Sequence, residues 1–238
     1  MKVRSKQPER IWITGASEGL SLAMALQLLS RGCEVAISGR QLPNHDELAA
    51  QFPGQLLLLH ENLSDAAQAA SAQKTLLERW GTLDLLIINA GTCDYLNAAQ
   101  VKTSLFQSMI ESNIQASANS LNLAFALLQK GQAPCVLGVV SSYTAAQVYE
   151  PSQPATPENS LLQLFSEARG TLFAHGIDLI LAAPQTQKRP VTPVLAMPQA
   201  WSAEDAAQSL LERLPQRPHN LVLETLAPNA LWPLPRKA

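Results

Sequence analysis

The chain has 238 residues, the size of one domain with a single large core. Its 17 Lys and Arg against 19 Asp and Glu give a net charge of −2, so no basic excess exists to neutralise nucleic-acid phosphates. A hydrophobic share of 47% with 15% charged residues excludes a disordered or collagen-like chain, and three cysteines without CxxC spacing (Cys33, Cys93, Cys135) suggest neither a metal site nor a disulfide framework.

Residues 1–9 form a basic lead with no long apolar stretch after it, so they read as a flexible extension rather than a signal peptide. No apolar run reaches the ~18–20 residues of a membrane helix. The expectation is a soluble cytoplasmic protein whose residues 10–238 make one domain, with no membrane and no nucleic acid among its partners.

Arg10–Thr14 is a short β-rich run that meets Gly15. Glu18–Arg31 carries apolar residues at helical spacing (Leu20, Ala23, Leu26, Leu28, Leu29) and ends at Gly32. Strands are expected at Glu34–Ser38 and Gln55–Leu59, then a helix over Ser64–Trp80 stopped by Gly81. Leu83–Ile88 is a continuous apolar run, the pattern of a strand buried on both faces. A long helix over Thr103–Lys130 leads to a strand at Cys135–Val140. A helix over Thr156–His175 follows, with Thr156-Pro157-Glu158 reading as cap, first-turn proline and dipole-favoured acid. Strands at Asp178–Ala182 and Leu221–Glu224 flank a last helix over Ala203–Leu214. Strands separated by helices imply an α/β fold: a doubly wound parallel sheet of about seven strands with helices on both faces.

Between the first strand and the first helix lies Thr14-Gly15-Ala16-Ser17-Glu18-Gly19-Leu20-Ser21. This is the context of a phosphate loop: Gly15 permits the tight turn, Gly19 lets backbone N–H groups approach a pyrophosphate, and the helix start adds partial positive charge. The bland alternative is an ordinary strand-to-helix turn.

These residues resemble the short-chain dehydrogenase/reductase family, and further matches run along most of the chain. Thr14-Gly15…Gly19 is similar to the family's TGxxxGxG loop, with Ser21 in place of the last Gly. Asn89-Ala90-Gly91 is similar to its NAG motif beside the cofactor, and Asn113 falls where the family's catalytic Asn lies. Val140-Ser141-Ser142 resembles the stretch ending in the catalytic Ser. His175-Gly176-Ile177…Ala183-Pro184 resembles the approach to the sixth strand, with Gln185 replacing the usual Gly. The resemblance implies a Rossmann-type fold and a dinucleotide held by Gly15, Ser17, Glu18, Gly19, Leu20, Ser38, Arg40, Asn62, Leu63, Asn89, Ala90, Gly91 and Pro184.

Charge at the end of the second strand bears on the choice of cofactor. An acidic side chain there binds a ribose 2′-hydroxyl, whereas Ser38-Gly39-Arg40 offers a guanidinium able to pair with a 2′-phosphate and a hydroxyl beside it. NADP(H) is therefore expected over NAD(H). Glu18 argues the other way, because many NADP-preferring relatives carry a basic residue there. A solvated surface arginine is the alternative for Arg40. Asn62, where the family often has Asp, could hydrogen-bond adenine.

The catalytic centre departs from the family. The family pairs its Ser with a Tyr-x-x-x-Lys motif, the Tyr thirteen residues after the Ser. Here that count from Ser142 gives Ala155, and four further gives Asn159; counting back from His175-Gly176 gives Pro154 and Glu158. Neither frame restores Tyr or Lys. Tyr143 and Tyr149 are candidates to replace the missing Tyr. A tyrosine titrating near pH ~10 needs a nearby cation to serve as a base, yet no Lys, Arg or His lies between Lys130 and Arg169. Lys188 or Arg189 could supply one. Cys93, Asp94 and Tyr95 could line the mouth of the cleft, although a polar loop explains them equally.

Three functions stay open at this point. One is a divergent NADP(H)-binding oxidoreductase acting on a carbonyl or alcohol of a small metabolite, with Ser142 and Asn113 kept. Another is an inactive NADP(H)-binding sensor or partner subunit. The third is a non-redox isomerase or dehydratase using Glu150 or Glu158 as base. The helices Thr103–Lys130 and Thr156–His175 pair subunits in many relatives, so a homodimer or homotetramer is expected.

Overall fold

The computed structural model describes residues 9–16, 19–39, 45–90, 103–140, 153–183 and 202–222. Seven strands form one parallel sheet: β1 (Arg10–Thr14), β2 (Glu34–Ser38), β3 (Leu56–Leu59), β4 (Leu85–Ala90), β5 (Cys135–Val140), β6 (Asp178–Ala183) and β7 (Asn220–Val222). Among the described residues six α-helices connect them: α1 (Gly19–Ser30), α2 (His45–Gln51), α3 (Ala66–Arg79), α4 (Thr103–Leu128), α5 (Leu161–Ala174) and α6 (Ala203–Arg213). A 3₁₀ turn at Leu214–Gln216 follows α6.

The strand order is β3-β2-β1-β4-β5-β6-β7. Chain order reverses between β1 and β4, where Ile11 pairs with Leu85 and Thr14 with Ile88. Beyond the carboxyl ends of these two strands lies the crevice in which doubly wound sheets bind ligands.

The twofold alternation of strand side chains assigns the two cores. Ile11, Ile13, Val35, Ile37, Leu85 and Ile87 point to one face and pack with α1 and α6. Trp12, Ala36, Leu86, Ile88, Val136 and Val140 point to the other, beneath α3, α4 and α5. Both faces are covered, which is why the strands read as apolar runs rather than alternating ones.

Two expectations need correction. The stretch between the second and third strands contains α2, which follows Pro43-Asn44 and begins with His45-Asp46-Glu47. The helix expected from Thr156 starts instead at Leu161, with Ser160 extended at the cap position (φ −144°, ψ 125°). Residues 157–159 make a separate turn, closed by Asn159 N–H and Ser160 N–H donating to the Thr156 carbonyl at 3.0 and 2.7 Å. The Asn159 side chain donates to the Pro154 carbonyl at 3.0 Å. That bond draws Asn159 inward, and the chain must extend at Ser160 before a helix can begin.

Candidate functional site

The site is built from the carboxyl end of the sheet. Gly15 leaves β1 with φ +65°, and a Cβ there would stand 2.6 Å from the Asn89 carbonyl oxygen at the end of β4. Conformation and close approach thus both demand glycine. Ala16 N–H donates to the Ser38 carbonyl at 3.1 Å, tying the turn to the end of β2. α1 then opens at Gly19 (φ +61°), with no acidic residue in its first turn to offset the positive end of the dipole. Leu20 is buried in the core beneath it.

Two polar groups flank this end of the sheet without hydrogen-bond partners among the described residues. One is the Ser21 hydroxyl in the first turn of α1, on a residue with no exposed surface. The other is Nδ2 of buried Asn113 on α4, whose backbone carbonyl accepts from the Ser117 hydroxyl at 2.8 Å. Buried polar atoms without partners are uncommon in folded proteins.

Ser38 is fully buried, and its hydroxyl accepts from Trp12 Nε1 at 3.0 Å. Its side chain therefore serves the interior beneath β2. Asn62 lies three residues beyond β3. Its Oδ1 accepts from Ser64 N–H at 3.2 Å and from the Ser64 hydroxyl at 2.8 Å, leaving Nδ2 for a ligand. Leu63 is buried, and its carbonyl accepts from Asn119 Nδ2 at 2.8 Å. Asn89 and Ala90 end β4 in register with Val139 and Val140 of β5.

Gly15, Gly19, Leu20, Asn89 and Ala90 thus gather at the β1–β4 crevice, with Asn113 on α4; Ser38 and the Asn62–Leu63 turn follow the ends of β2 and β3. Ser17, Glu18, Arg40, Gly91, Ser142, Tyr143, Tyr149 and Pro184 lie outside the described residues, as do Cys93, Glu150, Lys188 and Arg189. Ala155 and Glu158 are exposed, and Asn159 is buried.

Sequence reasoning did not single out the unpartnered Ser21 hydroxyl, nor Asn119 and Gln68, which brace the Asn62 turn. In sequence the two amides look like solvated helix residues, and Ser21 like a tolerated replacement for glycine. Among the described residues there is no cluster of three or more His, Cys, Asp or Glu able to hold a metal, and no helix is long and apolar enough to cross a membrane.

Fold and topology together define an α/β protein of the doubly wound type. A family model described as short chain dehydrogenase matches residues 9–192, and the chain belongs to this family. Among curated proteins it is 33% identical over 105 residues to a probable NADP-dependent dehydrogenase of Haemophilus influenzae, covering 43% of this chain and 41% of that one. It is 26% identical over 135 residues to tropinone reductase-like 3 of Erythroxylum coca, covering 55% of this chain and 52% of that one. The chain thus spans about half the length of these two relatives. Among solved structures, a short-chain dehydrogenase from Streptomyces avermitilis superposes with a TM-score of 0.69 at 18% identity, over 90% of this chain and 88% of that one. That likeness is one of fold.

The described residues fit a dinucleotide. The Gly15–Asn89 approach makes a cradle that any side chain would fill, and α1, which opens just after it, carries the Ser21 hydroxyl without a partner among the described residues.

Proposed function

We propose that the chain is a divergent NADP(H)-binding oxidoreductase acting on a carbonyl or alcohol of a small metabolite. The observation that carries this reading is the glycine cradle at the switch point, where Gly15 lies against the Asn89 carbonyl and α1 presents its N-terminus. When bound, the dinucleotide supplies or accepts the hydride. Backbone N–H groups from Gly15 to Leu20 hold its pyrophosphate, with Ser17 and Glu18 completing the loop. Asn62 and Leu63 contact the base. Asn89, Ala90, Gly91 and Pro184 border the nicotinamide half. Arg40 selects the 2′-phosphate, in keeping with the NADP dependence in the name of the Haemophilus influenzae relative. Residues 10–238 form one domain on this reading.

Substrate chemistry falls to Ser142 and Asn113. Ser142 donates a hydrogen bond to the substrate oxygen, and the Asn113 amide orients groups from the body of α4. The family's Tyr and Lys are absent in this proposal: Ala155 carries no ionisable group, and Asn159 is engaged with the Pro154 carbonyl. Proton transfer then passes to Tyr143 or Tyr149. The turn at 157–159 favours a second reading, an NADP(H)-binding sensor or partner subunit without turnover, because it removes the helical frame from the motif's positions.

Calorimetric titration with NADPH and NADH, comparing the natural chain with Arg40→Ala, tests the cofactor site. NADPH is expected to bind more tightly than NADH, and Arg40→Ala to cost it tenfold or more. Binding of neither at millimolar concentration would end both readings. A carbonyl and alcohol screen then separates them: turnover lost in Ser142→Ala supports the enzyme, and binding without turnover supports the sensor.

A further inference from the structure

The turn after β3 is braced at each of its residues. Asn62 N–H donates to Gln68 Oε1 at 3.0 Å, and Ser64 N–H to Asn62 Oδ1 at 3.2 Å. Asp65 N–H donates to the Asn62 carbonyl at 3.0 Å, while the Asp65 carboxylate caps α3 by accepting from Gln68 N–H at 2.9 Å. These bonds are local and set the shape of the turn. One further bond sets its place in the molecule: Asn119 Nδ2 donates to the Leu63 carbonyl at 2.8 Å, across 56 residues of chain.

The orientation of both amides follows from their partners. A carbonyl oxygen only accepts, so Asn119 faces Leu63 with its nitrogen; Gln115 Nε2 donates to the Asn119 oxygen at 3.2 Å, consistent with this. A backbone N–H only donates, so Asn62 faces Ser64 with its oxygen. The group Asn62 has left for a ligand is therefore a donor, suited to an acceptor on the edge of a base.

β3 lies two strands from β1, about 10 Å at ordinary strand spacing. Asn119 stands six residues beyond Asn113 on α4, about 9 Å along the helix axis. One helix thus carries Asn113 and holds the turn after β3.

We propose that Asn119 is a positioning residue for nucleotide recognition: its bond to the Leu63 carbonyl holds the Asn62 donor where the adenine base of the dinucleotide lies. The inference rests on the cofactor reading above, and its effect is confined to the adenosine half.

The test is a double-mutant cycle on nucleotide affinity, using calorimetry with NADPH and with 2′,5′-ADP, which carries the adenosine half alone. Asn119→Asp keeps the size of the side chain and turns an oxygen toward the Leu63 carbonyl. It is expected to weaken both ligands about five- to tenfold, the worth of one hydrogen bond. Asn62→Ala is expected to do the same, and the double variant to be no weaker than either single one, because both act through one contact. Gln73→Ala removes a different α3–α4 tie, the 2.8 Å bond to the Leu123 carbonyl, and is expected to leave affinity unchanged. Thermal melting accompanies each variant, and Asn119→Ser replaces Asn119→Asp if the latter lowers the midpoint. Affinity within twofold of the natural chain in the Asn119 variant, losses that multiply in the double variant, or an equal loss in Gln73→Ala would overturn the proposal while leaving the cofactor site standing. If the natural chain binds neither ligand, both fall.

Discussion

Cys135 opens β5 with its thiol buried, and burial pushes that thiol up from 9.0 to about 11. The nearby Asp178 carboxylate adds to the rise and the Arg217 guanidinium opposes it. A thiol whose pKa is higher in the folded state than in the unfolded one favours folding while both states are protonated. Its contribution is complete below pH 9.0 and is lost as pH rises through about 11. Two units correspond to about 3 kcal/mol as an order of magnitude. Denaturant unfolding at pH 8 and pH 10.5 is expected to show a fall in stability that Cys135→Ala lacks; equal falls in both proteins would refute the assignment. Below that range the thiol is inert, since the reactive form is the thiolate. The neighbourhood is also backbone-strained: Ala133 and Arg217 both hold positive φ (48° and 50°), and Arg217 Nη2 donates to the Ala133 carbonyl at 2.6 Å.

At the scale of elements, α6 is the helix most fully specified by its own sequence. Ser202 caps it by accepting from Asp205 N–H at 3.1 Å, and the Asp205 carboxylate accepts from Ser202 N–H in return. Ser202→Ala is expected to cost about 1 kcal/mol in chemical denaturation, and no measurable loss would show the box to be idle. The start of α5 shows the opposite case. Thr156-Pro157-Glu158 has the composition of a helix start, yet the helix begins at Leu161: residues 157–159 turn on the Thr156 carbonyl, and the Asn159 side chain closes back on the Pro154 carbonyl within the same loop. α2 was missed for a different reason: seven residues give too few turns for periodicity to register, although Asn44 followed by Asp46-Glu47 is a usable start signal. The long apolar strands were legible because burial on both faces leaves no polar alternation to confuse them.

For the whole molecule, the doubly wound parallel sheet was legible in the alternation of strands and helices, while the order of its strands came from the structure. The glycine cradle was legible because a backbone demand has a residue signature. The bond from Asn119 to Leu63 was not, because two amide-rich segments 56 residues apart carry no local mark of their meeting. Assembly is argued at this scale too. Phe173 on α5 is 71% exposed, on one of the two helices expected to pair subunits. Light scattering coupled to size exclusion is expected to give a homodimer or homotetramer at micromolar concentration, and a monomer alone would contradict it.

Asp84, just before β4, is buried at the opposite end of the sheet from the site. Its carboxylate accepts from the N–H groups of Glu9 and Arg10 at 2.9 and 3.1 Å, and from Gln132 N–H at 2.7 Å. Three chain segments from the first, middle and later parts of the sequence meet on one side chain. During synthesis β1 can pair with β2 early, but β4 and the Gln132 turn arrive only after most of the first half of the chain has emerged. Until then β1 exposes an unpaired apolar edge. Docking of β4 on the free edge of β1 is thus tied to contacts 75 and 48 residues apart in sequence, and pairing of that range closes more slowly than local structure and leaves strand edges open in the meantime.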